Sequence, residues 1–164
     1  KPALFRRAID LGCGTGLAAE AFARQVDHFT GIDLSPGMIR EARASGLYAE
    51  LEVADMIEGL RSKQDASANL IVAADAMVYL ADLAVVLAEA ERVLAAGGVL
   101  AFTLETHGGS GVILGEGLRY AHAAEYVREA IAAAGLKLLT LDAASPRNEN
   151  NEPVRGLVVV AEKT

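Results

Sequence analysis

Residues 8–16 read AIDLGCGTG. Gly12, Gly14 and Gly16 follow a short apolar run that holds an acid, Asp10, and ends on one more apolar residue. Behind them LAAEAFARQV, Leu17 to Val26, carries an amphipathic helix pattern. Strand, glycine turn and helix together bring a nucleotide-like ligand against bare backbone. Glycine has no Cβ, so the chain turns tightly and a ligand can approach the main chain. A second acid, Asp33, closes the next predicted strand, and a third, Asp55, closes the one after. Three spaced acids make the pattern far more specific than a glycine loop alone.

The spacing separates two nucleotide folds. A dinucleotide fold spells G-x-G-x-x-G, with the third glycine packing helix on strand. Here the third glycine comes one place early, and Leu17 stands where that pattern wants it. The D-x-G-x-G-x-G form from Asp10 to Gly16 resembles motif I of the class I S-adenosylmethionine-dependent methyltransferases. The resemblance runs over nearly the whole chain.

At 164 residues the chain suits one domain, residues 1–164, large enough to bury about 70% of its unfolded surface. Hydrophobic residues make up 52% and aromatics 5%, so the chain folds rather than stays disordered. No apolar run reaches the ~18 residues of a membrane span, and no signal-peptide pattern opens it. The single cysteine, Cys13, cannot make an internal disulfide and fits a reducing, cytoplasmic setting. The net charge is −7, and without basic clusters such a domain binds nucleic acid backbone poorly. The expected partner is a small molecule, with no nucleic acid and no membrane; the oligomeric state is not set. The chain begins at Lys1, not Met, so an upstream segment is expected.

Periodicity predicts strands over 7–11, 28–33, 49–53, 68–73 and 99–104. Helices are expected over 16–26, from Ser35-Pro36 to Gly46, after Asp82, and around Tyr126 to Ala134. Gly97-Gly98 is read as the stop of the third helix, and GGSGVILGEG, Gly108 to Gly117, as a glycine-rich loop. Two closing runs, 136–143 and 156–161, have no room for a helix between them and should pair as an antiparallel hairpin. Alternating strands and helices imply a doubly wound α/β fold. The resemblance makes it a Rossmann-like, seven-stranded, mostly parallel sheet with an antiparallel C-terminal hairpin strand.

The resemblance also implies a cofactor, S-adenosyl-L-methionine, and residues to hold it. Gly12, Cys13, Gly14 and Gly16 would cradle its methionine part, with Asp10 near the ammonium group, directly or through water. Asp33 would accept both ribose hydroxyls, with Leu34 and Met38 beside it. Asp55 would take the adenine amino group and Met56 would pack on the ring. Ala74 joins this set. Each acid has a simpler reading as a loop or helix cap, since Asp is common there. Asp10 could equally be structural.

The segment ADAMVYL, Ala74 to Leu80, follows the fourth strand and by the resemblance faces the methyl group. Asp75 and Tyr79 are the catalytic candidates, each with a packing or surface reading beside it. The Asn-Pro-Pro-Tyr signature of adenine methylation is absent, and Cys13 is not placed as a cytosine-methylating nucleophile would be. Glu105 and His107, with Asp75, invite a Mg²⁺ reading. Catechol-type methyltransferases, however, carry an Asp-Asn pair where this chain has Glu105-Thr106, so no metal is expected. His107 and His122 read as solvated or hydrogen-bonded rather than as bases. Residues 115–135 with 147–163 are also similar to methyltransferase domains that follow tetratricopeptide repeats in bacterial proteins. The expectation is therefore a methyltransferase acting on a small molecule. A non-catalytic cofactor-binding module and an NAD(P)-dependent oxidoreductase are the alternatives.

Overall fold

The computed structural model describes residues 4–164. β1 (Phe5–Leu11) starts earlier than expected because Phe5 already pairs with Val26 on the next strand. α1 (Leu17–Phe22) is shorter than the predicted 16–26. Only Ala19 of this helix is buried, and Leu17 stays 75% exposed. With so little apolar face to anchor it, the helix stops, and β-branched Val26 opens β2 (Val26–Asp33).

α2 (Pro36–Ser45) follows its sequence signals closely. Ser35 Oγ accepts from the Met38 N–H, Pro36 fills the first turn, and Gly46 ends the helix at φ +70°. Ile39 and Ala42 face the core. β3 (Glu50–Val53) leads into α3 (Met56–Arg61), a short helix that is not among those expected from the sequence. β4 (Ala68–Ala73) is followed by a single 3-10 turn at Met77–Tyr79.

α4 (Ala84–Val93) has Asp82 at its start, as expected, its Oδ1 accepting from the Ala84 N–H at 2.8 Å. β5 (Leu94–Glu105) begins before Gly97-Gly98, not after it. The glycine pair sits at a bulge, where pairing with β4 jumps from Ala68↔Leu94 to Leu70↔Val99 and Gly97 takes φ +75°. The expected glycine-rich loop, 108–117, stays mostly irregular but holds one short strand, β6 (Val112–Leu114), which pairs antiparallel with β7 (Tyr120–His122) just beyond it. α5 (Ala124–Ala133), β8 (Leu136–Ala144), a small ribbon of β9 (Asn148–Glu149) and β10 (Glu152–Pro153), and β11 (Gly156–Lys163) complete the chain.

The main sheet runs β3-β2-β1-β4-β5-β11-β8. β1 to β5 are mutually parallel, and β11 is antiparallel to both its neighbours, β5 and β8. This is the Rossmann-like order of seven strands that the resemblance implied, with β7 joined to the end of β5 and β6 to β7. Its larger core cluster, including Leu11, Ile32, Ile71, Leu87, Leu100 and Phe102, carries α3, α4 and α5. A smaller cluster around Ala8, Phe29, Leu70 and Val72 takes α1. No helix of the described residues is long and apolar enough to cross a membrane. The carboxyl ends of β1 to β5 share one edge, the ligand side of such a sheet.

Candidate functional site

A cleft of about 260 Å³ opens at that edge. Gly12, Asp33, Leu34, Asp55, Met56, Asp75 and Tyr79, all singled out from sequence, line it together with Ile32, Ala54 and Ala76. Asp10, Cys13, Gly14, Gly16, Met38 and Ala74 are not among its walls. Ala74 instead lines an apolar groove with Ala18, Phe22 and Thr103.

Asp33 is fixed by main chain. Its Oδ2 accepts from the Gly14 N–H at 2.9 Å and its Oδ1 from the Ser35 N–H at 2.8 Å. One carboxylate thus ties the glycine turn after β1 to the start of α2. Each oxygen keeps a lone pair for a further donor in the cleft. Asp55 does what its simpler reading said, capping α3 through Oδ1 to the N–H groups of Ile57 and Glu58 at 2.9 and 3.3 Å. Capping uses one oxygen, and the residue still lines the cleft.

The glycine turn is shaped for close approach. Gly14 has φ +54°, and a Cβ built on it meets nothing within 4 Å. Gly12, at φ +65°, has no such room, since a Cβ there would lie 2.7 Å from the Ala76 side chain. One glycine leaves open space over the backbone, and the other lets the β4 loop pack down.

Beneath the turn Asp10 is 1% exposed, so a direct contact with a ligand in the cleft is closed to it. Its Oδ2 accepts the Tyr48 hydroxyl at 2.6 Å. Burial pushes its carboxyl up to about 6; the Tyr48 bond opposes that shift and the nearby Asp33 charge adds to it. Tyr48 was missed from sequence. Its ring stands edge-on to Phe29 at 5.7 Å and fills the space beside Gly31, where a Cβ would lie 2.9 Å from it. A glycine in mid-strand marks such a close approach, and that was the available signal. Burial pushes the Cys13 thiol up to about 12, so it packs rather than reacts.

The far end of the cleft is built from side chains. Asp75 has a left-handed backbone at φ +54°, and its N–H donates to Thr103 Oγ1 at 2.8 Å. Its Oδ1 accepts from Arg119. The Arg119 guanidinium also donates to the Tyr79 hydroxyl at 2.8 Å and to Glu105, and it stands 5.2 Å from the centre of the Tyr79 ring. Glu105 accepts in turn from Arg147, which also reaches Glu149. Glu105 is therefore engaged by two guanidinium groups, and His107 folds onto its own loop through Gly109 and Gly111. His122 is fully buried against the Leu80 carbonyl at 2.8 Å, and burial lowers its pKa. Of the two readings offered for it, hydrogen-bonded is the one the fold adopts. Arg119 and Arg147 went unnoticed in the sequence because their partners lie far away along the chain.

Three acids on one cleft, a glycine turn beside it and a carboxylate held by two N–H groups suit a small ligand that brings positive charge and hydroxyl donors. Residues 9–102 match the methyltransferase domain family. Over 97 residues the chain is 37% identical to a ubiquinone biosynthesis O-methyltransferase of Xylella fastidiosa strain 9a5c, taking in 57% of this chain and 39% of that protein. The chain thus spans about two-fifths of the length of the curated relatives it matches. Among solved structures, an S-adenosylmethionine-dependent methyltransferase from Methanosarcina mazei has a TM-score of 0.77 at 18% identity, over 99% of this chain and 94% of that one. The 1,6-didemethyltoxoflavin-N1-methyltransferase of Burkholderia thailandensis was solved with 1,6-didemethyltoxoflavin and S-adenosylhomocysteine. It has a TM-score of 0.79 at 16% identity, over 99% of this chain and 72% of that one. At such identities the structural likeness speaks for the fold. The family match spans the glycine turn, Asp33, Asp55 and Asp75, and stops short of Glu105 and Arg119. The fold of the chain is that of S-adenosylmethionine-dependent methyltransferases, and by the match over residues 9–102 the chain belongs to the methyltransferase domain family.

Proposed function

We propose that the chain is a methyltransferase acting on a small molecule. The observation that carries this is Asp33, held between the Gly14 and Ser35 N–H groups on the wall of a cleft that Asp55 and Asp75 share. S-Adenosylmethionine supplies an activated methyl on a sulfonium, so the protein's main task is alignment, which can be worth several kcal/mol. Asp33 would accept the ribose hydroxyls, with Leu34 and Met38 beside them. Asp55 and Met56 would meet the adenine. The Gly12–Gly16 turn would carry the methionine end, and buried Asp10 would act on it only through the turn.

Sheet order then sets the direction of the cleft. β3, β2, β1 and β4 lie side by side, so Asp55, Asp33, Gly12 and Asp75 line up in that sequence. The acceptor end falls at β4, beside Asp75 and Tyr79. It is open: Tyr79 is 56% exposed and the Asp75 side chain 44%. A small acceptor can enter there, and the net charge of −7 opposes nucleic acid. The relatives named for ubiquinone biosynthesis and didemethyltoxoflavin support a small acceptor.

Calorimetry with S-adenosylmethionine, S-adenosylhomocysteine and NAD tests the reading. The two adenosyl ligands are expected to bind in the micromolar range and NAD to give no heat. Binding of NAD alone would sink it.

A further inference from the structure

The charges around the acceptor end are unbalanced. The cleft walls hold Asp33, Asp55 and Asp75 and no Lys, Arg or His. The two nearest cations do not face the cleft as free charges. Asp75, Arg119, Glu105, Arg147 and Glu149 form one alternating chain of three acids and two bases, starting at the cleft. Its sum is one negative charge. Arg119 is only 12% exposed, so it lies behind Asp75 and Tyr79 as a brace. No donor among the described residues meets the second carboxylate oxygen of Asp75, although the side chain is nearly half exposed in the cleft. The left-handed backbone at Asp75 is rare for a residue with a Cβ, and strain of this kind concentrates where a group must be aimed. A separate surface pocket holds Glu149, the last acid of the alternating chain, with Glu116 and Glu152.

We propose that the acceptor is an amine that arrives as a cation, and that Asp75 receives it. The proposal rests on the methyltransferase reading above. An anionic acceptor would meet Asp75 with no free cation to offset it, whereas an ammonium gains a charge-assisted bond to the open oxygen. The amine gives one N–H proton to the Asp75 carboxylate. Its freed lone pair forms the N–CH3 bond as the C–S bond breaks and that electron pair returns to sulfur. The products are the N-methylated ammonium, the neutral thioether and a protonated Asp75, so charge and atoms balance. Arg119 is the positioning residue: it holds the other oxygen of Asp75 and the hydroxyl of Tyr79, leaving the Tyr79 proton free to donate.

Sinefungin provides a probe that needs no knowledge of the acceptor. It is a cofactor analogue with an ammonium where the transferable methyl sits. S-Adenosylhomocysteine is its neutral reference. Calorimetry on the wild type should show sinefungin binding at least about tenfold tighter than S-adenosylhomocysteine. In Asp75→Asn most of that preference should vanish, while S-adenosylhomocysteine affinity stays within about twofold, since that ligand has no cation at this position. Asn tolerates the left-handed backbone as Asp does, and circular dichroism checks the fold. Equal affinities in the wild type, or a preference that survives Asp75→Asn, would overturn the proposal. If neither ligand binds, the cofactor reading beneath it falls as well, so the two failures are told apart.

Discussion

The two ends of the cleft are held in different ways. At the β2–β3 end, where the cofactor is proposed to lie, the acids are fixed by backbone: Asp33 by the N–H groups of Gly14 and Ser35, Asp55 by those of Ile57 and Glu58. At the β4 end, where the acceptor is proposed to enter, Asp75 and Tyr79 are held by Arg119, itself held by Glu105, which Arg147 also engages. Backbone donors come with the fold and survive most sequence change. A chain of ion pairs needs every member. The matched family region, residues 9–102, takes in Asp33, Asp55, Asp75 and Tyr79 and ends before Glu105, Arg119 and Arg147. One end thus rests on main-chain donors, while the other rests on side chains that lie far apart in sequence.

That contrast is sharpest in cofactor affinity. Gly14→Val places a side chain in the open space over the turn and forces a branched residue into φ +54°. S-Adenosylhomocysteine binding should fall by more than about a hundredfold, with circular dichroism near wild type. Normal binding would show that the turn is not the cradle. Asp33→Ala should weaken binding about tenfold to a hundredfold, the worth of charge-assisted hydrogen bonds. It should also lower Tm, because Gly14 and Ser35 lose their acceptor; an unchanged dissociation constant would break the comparison at its base.

Asp10 makes a smaller, pH-dependent difference. Its carboxyl titrates at about 6 in the fold against 3.8 in the free state. The folded state therefore holds the proton more tightly, and stability falls as pH rises between these two values and stays lower above them. Asp10→Asn should remove that slope. It should be the more stable protein at pH 7, by up to about 3 kcal/mol, with the gap closing near pH 4. Equal denaturation midpoints for both proteins at pH 7 and pH 4 would count against a buried charge under the turn. Arg119→Met should hardly alter S-adenosylhomocysteine affinity, staying within about threefold. It should still cost about 2–4 kcal/mol in urea unfolding, because Asp75 and Glu105 lose a poorly exposed partner. A large loss of cofactor affinity in this variant would erase the division between the ends.

The same division decides what could be read in advance. Ser35, Pro36 and Gly46 marked α2 because capping acts between near neighbours. The glycine turn and the three acids were visible because strand ends carry them to one edge whatever surrounds them. α3 was missed: it is six residues long, and the cap that starts it is Asp55, already read as a ligand residue. β6 hid in a glycine-rich stretch because Val112 to Leu114 is too short to show alternation. Arg119 pairs across 44 positions to Asp75, and Arg147 across 42 to Glu105. No local pattern announces such partners. Tyr48 reaches Asp10 across 38 positions, and only the mid-strand Gly31 hinted at the slot it fills.

The place of β11 has a kinetic consequence. It lies between β5 and β8, antiparallel to both, although it is made after each of them. Until residues 156–163 have been synthesised, the facing edges of β5 and β8 remain unpaired. Open edges of this kind template wrong pairings. Non-local strand insertion is also slow, since loop closure must precede the contacts that reward it. The nascent chain therefore passes through a stage in which the cofactor half can form while the sheet still has a vacant slot. That slot is the point at which aggregation or assistance by a chaperone would act.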